Sequence, residues 1–202
     1  MKTYYADLAD TAKTTLTKIS RETRAPKVVD FWVLSDLHLG HERLEEGGPL
    51  NGVRPENCSQ LLTERWNQTV ATTDDVLVLG DVLVGWPLDE YPERMPTLNG
   101  RIVVVAGNHE SKGKIAFLKE RGWGFVEPFE ILFRDWLVFF THEPMPDDEL
   151  LANAISVHGH IHHRPERTDH HINTSAEAMD YRPQRLRQLL DRRIDQLGPP
   201  PF

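Results

Sequence analysis

Three runs of β-branched and aliphatic residues, 28–34, 76–79 and 101–106, are separated by stretches whose apolar residues recur at helical spacing. Short strands alternating with helices are the pattern of an α/β sheet. Each run delivers residues able to bind a cation: Asp36 and His38 after the first, Asp81 after the second, Asn108 after the third. Segments 129–133 and 136–140 read as paired strands turning at Arg134 and Asp135, and the second delivers His142. A short strand at 154–157 precedes His160 and His162, and 172–175 reads as a further strand. Strands alternate with helices early and pair as hairpins late, so the expectation is a mixed α/β sandwich.

The helical stretches are 58–70, 88–98, 112–121 and 183–197. Residues 3–23 read as a polar packing helix with apolar contacts at Tyr5, Leu8, Ala12, Leu16 and Ile19, closed by Pro26. The segment 40–55, punctuated by Gly47-Gly48-Pro49 and Asn51-Gly52, reads as a loop. We therefore expect one domain over 1–202, with a helical extension at 1–26 and a C-terminal helix and tail at 183–202. A chain of this length buries roughly 70% of the surface its unfolded form exposes, so it needs no staples.

The formal net charge is −8, and no Lys/Arg stripe with interleaved aromatics is present. A protein that grips long nucleic acid carries a basic footprint, so extended nucleic acid is not the expected partner. No run approaches the ~18 apolar residues of a membrane span, and the N-terminus lacks the apolar core of a signal peptide. Cys58 is the only cysteine, which fits a reducing, cytoplasmic setting.

Taken singly, the five motifs are weak. Asp36-Leu37-His38 and His160-Ile161-His162 each place two donors at i and i+2, which point the same way in extended backbone. Gly80-Asp81 sets one carboxylate beside a residue that permits close approach. In Gly107-Asn108-His109-Glu110 an amide oxygen precedes a histidine placed to act as an acid rather than a ligand. Alone, each has an ordinary structural explanation, such as a turn Asn, a capping Asp or a satisfied His. Five in this order, mostly after apolar runs, point to a centre holding two divalent cations.

At this point the chain resembles the calcineurin-like metallophosphoesterases, on Asp36-Leu37-His38, Gly80-Asp81, Gly107-Asn108-His109-Glu110, His142 and Gly159-His160-Ile161-His162. The wording SDLHLGH, LGDV, AGNHE and HGHIHH is similar to a small branch found in bacteria and phages. The resemblance implies a four-layer α/β/β/α sandwich of two mixed sheets flanked by helices, with metals at the strand ends. It also implies a partition: Asp36, His38 and His162 on one ion, Asn108, His142 and His160 on the other, and Asp81 between them with a water or hydroxide. His109 would then protonate the leaving oxygen or stabilise the transition state. The mixed oxygen and imidazole donors suit manganese best, then iron, zinc or nickel.

Beside the motifs, His41 is a candidate substrate or supporting residue, and Glu110 a candidate to orient His109 or to open the next helix. Arg43 and Arg54 read as solvated loop residues, and His170 and His171 as an exposed turn. His158 and His163 read as flanking residues, and Trp66, Trp123 and Trp136 as core. The expected function is hydrolysis of a small phosphate ester or nucleotide, a phosphodiester such as a cyclic nucleotide being favoured. The alternative is a metal-dependent nuclease or nucleic-acid end-processing phosphatase. A binding module without turnover is a third reading.

Overall fold

A computed structural model describes residues 27–41, 43 and 54–201. The expected helix at 3–23 and most of the loop at 40–55 lie outside the described residues. Two mixed sheets, flanked by helices, make up the fold. The first has five strands: β1 (Trp32–Leu34), β2 (Asp75–Val78), β3 (Arg101–Val105), β4 (Gly124–Val126) and β9 (Gln184–Arg185), in the order β4-β3-β2-β1-β9. The second has β5 (Phe129–Phe133), β6 (Trp136–Phe140), β7 (Ala154–His158) and β8 (His171–Asn173), in sequence order.

Burial explains the difference between the strands. The inner residues of β2, β3 and β7 are buried without interruption, as parallel strands covered on both faces must be. In β5 and β6 buried residues alternate with more exposed ones, and the two pair antiparallel with Phe133 opposite Trp136. Arg134 and Asp135 between them both have positive φ, as a two-residue hairpin turn of this hand requires.

Helix α1 (Cys58–Thr69) buries Cys58, Leu62 and Trp66, one every fourth residue, and the Trp66 indole N–H donates to Asn99 O at 2.9 Å. A single α turn, α2 (Tyr91–Arg94), replaces the longer helix expected over 88–98. Met95 is extended because Pro96 disfavours helical backbone in the residue before it. Helix α3 (Lys112–Glu120) starts at Ser111, whose hydroxyl accepts the Lys114 N–H. Helix α4 (Leu186–Leu197) buries Leu186, Leu190 and Ile194.

Two strands were not expected. β4 follows α3 and adds a parallel edge beyond β3. β9 takes residues 184–185 from the start of the expected C-terminal helix and pairs antiparallel with β1, Trp32 opposite Arg185. Without β9 the other side of β1 would be an open edge. The two sheets meet just past β1, where Ser35 N donates to Thr174 O at 2.8 Å and Ala176 N donates to Ser35 O at 3.0 Å. That seam carries the candidate functional residues.

Candidate metal centre

Asp36, Asp81, Asn108, His142 and His160 follow β1, β2, β3, β6 and β7, and all seven candidate donors form one continuous cluster. His38 Nε2 is 3.8 Å from Asp36 Oδ1 and 3.4 Å from Asp81 Oδ2. His142 Nε2 lies 3.4 Å from the same Asp81 oxygen and 2.9 Å from Asn108 Oδ1. His160 Nδ1 is 3.3 Å from Asn108 Oδ1 and from His142 Nε2. His162 Nε2 is 3.9 Å from Asp36 Oδ1. Asp81 therefore stands between one imidazole of each expected set. His109 is further out and half-exposed, with Nε2 3.8 Å from Asp81 Oδ2.

The backbone that delivers these groups is not the extended chain expected from the i, i+2 spacing. Asp36, His38, Asp81, His160 and His162 all have φ between 48° and 67°, the left-handed region. The paired donors converge because the chain coils after each strand, not because a strand alternates. Each such residue costs of order 1–3 kcal/mol, and strain of this kind collects where the surrounding structure dictates a geometry. The loops are held tightly. Asp36 Oδ2 accepts the Ser35 hydroxyl at 2.7 Å and His160 N–H at 2.9 Å. A Cβ on Gly159 would collide with that carboxylate, and one on Gly107 with the carboxylate of Asp81.

Proton positions follow from the partners. Leu79 O, 2.8 Å from His142 Nδ1, can only accept, so Nδ1 carries a hydrogen and Nε2 is the nitrogen that faces the centre. Burial alone would raise the Asp36 carboxyl, but the His38 imidazole 3.8 Å away, the Ser35 hydroxyl and the nearby His142 and His162 bring it down to about 2. Asp81 is likewise opposed by burial, yet the imidazoles of His142 and His38, each 3.4 Å from its Oδ2, hold it well below the usual carboxylate range. Burial pulls His142 down, but Asp81 and Leu79 O outweigh it and raise the imidazole to about 9.

The donor set fits divalent cations. Asp36, His38 and His162 offer one donor atom each within 4.8 Å of one another, and so do Asp36, Asp81 and His142. His38 Nε2 is buried, with no hydrogen-bond partner, and faces both carboxylates. An unpartnered buried imidazole nitrogen between two ionised carboxylates is what a cation would satisfy.

A model of the calcineurin-like phosphoesterase domain matches residues 29–130. The chain belongs to the calcineurin-like phosphoesterase family. It is a metal-dependent phosphoester hydrolase. It is 27% identical over 163 residues to an uncharacterized protein of Methanocaldococcus jannaschii, covering 76% of this chain and 85% of that one. It is also 32% identical over 83 residues to the gene 66 protein of Mycobacterium phage D29, about 40% of each. A solved structure from Aquifex aeolicus, titled a protein of unknown function, shares the fold. It has a TM-score of 0.61 and 23% identity, over 83% of this chain and 98% of that one.

Around this phosphoesterase centre several expectations are corrected. Arg54, expected to be solvated, is 2% exposed. Its guanidinium donates to Asp36 O at 2.6 Å, Leu37 O at 2.9 Å and Glu177 Oε1 at 2.9 Å. Glu177, which no motif singles out, also accepts from His162 Nδ1 at 2.8 Å. Glu110 neither orients the His109 ring nor serves mainly as a helix-end acid. Its carboxylate accepts the N–H groups of Asp81, Val82 and Gly107. His171 is 1% exposed rather than in an open turn, and pairs with Asp147 at 2.9 Å, while His170 is half-buried.

Arg43 and His163 are exposed, Trp66 and Trp136 are core, and Trp123 packs against the core. His158 is buried behind Gly159, and burial brings it down to about 4 against the pull of Gly159 O. His41 stacks on His38 with ring centroids 5.5 Å apart, and burial with the charge of His38 lowers it to about 4. No described helix is long and apolar enough to cross a membrane.

Proposed function

We propose that the cluster holds two divalent cations and hydrolyses a small phosphate ester, most favourably a phosphodiester such as a cyclic nucleotide. Asp36, His38 and His162 would hold one ion, Asn108, His142 and His160 the other, with Asp81 shared. Asp36 also lies close to the second set, a contact the partition does not need. The observation that carries this reading is the unpartnered, buried His38 Nε2 between Asp36 and Asp81. Two cations there would supply an acidified water as nucleophile and charge to meet the phosphate oxygens. Manganese suits this donor set best, with iron, zinc and nickel next.

The chain's own residues do the rest. Asp81, held ionised, keeps the two halves of the site in register. Asn108 offers a neutral amide oxygen, which limits the negative charge facing an anionic substrate. His109 projects from the same loop at the open side, in reach of a leaving oxygen. Burial lowers its imidazole, against the opposing charge of Asp81. A phosphate anion beside it raises it again, so substrate binding itself would favour the protonated, donating form. His41, neutral and stacked on His38, would line the approach. A net charge of −8 without a basic stripe argues for a small substrate over a polynucleotide, and fits a cytoplasmic phosphoesterase.

The test is a manganese-supplemented screen of p-nitrophenyl mono- and diesters, 2′,3′- and 3′,5′-cyclic nucleotides and short oligonucleotides. Turnover of a cyclic nucleotide or another small diester supports the proposal. Preferential, salt-sensitive turnover of oligonucleotides would favour the nuclease alternative. No hydrolysis of any ester, with two ions bound, would leave a binding module. His109→Ala should lower turnover by about 100-fold or more without changing metal content.

A further inference from the structure

Arg54 and Glu177 lie 123 residues apart in the chain, yet form a buried ion pair directly behind one half of the centre. Both side chains are almost wholly buried, 2% and 4% exposed. Their contacts are directional. Arg54 holds the carbonyls of Asp36 and Leu37, the backbone between two donors of the first set. Glu177 Oε1 holds His162 Nδ1, the third donor. A carboxylate can only accept here, so Nδ1 carries the hydrogen and Nε2 is left to face Asp36 and His38. Asn173 adds a second tie, donating its amide N–H to His162 O at 2.7 Å.

The other imidazoles are backed differently. His142 Nδ1 meets a backbone carbonyl, and His160 turns Nδ1, not Nε2, toward the centre. No carboxylate stands behind either among the hydrogen bonds of the described residues. The pair is therefore specific to the Asp36, His38 and His162 half.

We infer that Arg54 and Glu177 are positioning residues that set the tautomer of His162 and so determine the affinity of one ion of the two. The inference rests on the two-ion reading above. A carboxylate behind a ligating imidazole fixes the ring and makes it more basic, and loss of such a partner typically weakens metal binding roughly 10–100-fold. Arginine is needed because its planar fork reaches two carbonyls and the carboxylate together, where a lysine ammonium has no fixed geometry.

The experiment titrates purified full-length protein with zinc, following stoichiometry and affinity by calorimetry. Wild type should bind two ions, and failure to bind two would sink the two-ion reading itself. In Glu177→Gln one ion should weaken roughly 10–100-fold, with the other unchanged. Two ions at wild-type affinity, or equal weakening of both, overturns the inference alone. Glu177→Gln leaves a buried guanidinium unpaired and costs stability, so the Arg54→Met/Glu177→Gln double variant, with no such charge, is titrated beside it. A third readout needs no substitution. Long-range proton–nitrogen NMR of the zinc-loaded wild type should show His162 protonated at Nδ1 and bound through Nε2, and the opposite tautomer overturns the inference.

Discussion

Glu110 accepts the backbone N–H of Asp81 at 2.9 Å, and with it clamps one site loop to another. The same carboxylate takes Val82 N–H at 2.8 Å and Gly107 N–H at 2.7 Å, so the turn after β2 and the turn after β3 share one anchor. Removing it orphans three partly buried donors at about 1 kcal/mol or more each. Glu110→Ala should therefore lose about 3 kcal/mol in urea unfolding, and turnover should fall with it. A loss below about 0.5 kcal/mol, the range of an ordinary surface change, would show that the clamp is not structural.

The left-handed backbone of His160 gives an inverted ranking of small residues. Glycine ordinarily costs stability against alanine, but at φ 67° alanine carries the strain and glycine does not. In metal-free protein His160→Gly should be more stable than His160→Ala by about 1 kcal/mol. Equal melting of the two variants would mean that the position relaxes out of this conformation once the imidazole is gone.

Cations that bind only the folded state must stabilise it by mass action. At a free concentration of about 100 times the dissociation constant the gain is about 2.7 kcal/mol per site. Chelator-treated protein should melt at a lower temperature and recover progressively on manganese addition. Asp81→Asn should blunt that recovery, because it removes the charge shared by both sets. An unchanged manganese response in Asp81→Asn would count against a shared carboxylate.

Away from the centre, Asp74 supplies an acid-sensitive contact. Burial alone would raise its carboxyl, but the Ala71 N–H, the Trp32 indole N–H at 2.8 Å and the charges of Arg185 and Arg101 lower it on balance. A group held below its unfolded value favours the folded state while ionised. Its contribution is complete above the ordinary carboxylate range, about pH 4, and disappears as pH falls through the folded-state value. Asp74→Asn should be less stable than wild type at neutral pH, and the gap should narrow as pH falls below the ordinary carboxylate range. A gap that is constant with pH would assign the effect to shape rather than charge.

What the sequence made legible was whatever is local. β1, β2 and β3 announce themselves because a parallel strand covered on both faces needs an unbroken apolar run, and the donors sit directly after those runs. β9 could not be read, since two residues, Gln184 and Arg185, form a strand only because β1 offers an edge. Arg54 was missed because an arginine beside a glycine-rich loop looks solvated, and the carboxylate that buries it lies far along the chain. His171 failed for the same reason, its partner Asp147 lying 24 residues earlier. Glu110 was noticed but misassigned: a spacing argument sees the neighbouring His109 and not the backbone of another strand.

The pairing of β1 with β9 has a consequence for biosynthesis. Arg185 reaches Asp30 O across 155 residues, and His160 N–H reaches Asp36 across 124. Asp36 and His38 leave the ribosome long before Gln184 and Arg185, so one edge of their strand has no β9 to pair with until then. A nascent chain thus carries an incomplete centre and an open strand edge over that interval. Topology of this kind slows folding and leaves edges exposed to wrong partners. The candidate donors His160 and His162 come only after β7 has emerged, so a cation cannot meet the whole set before that strand docks.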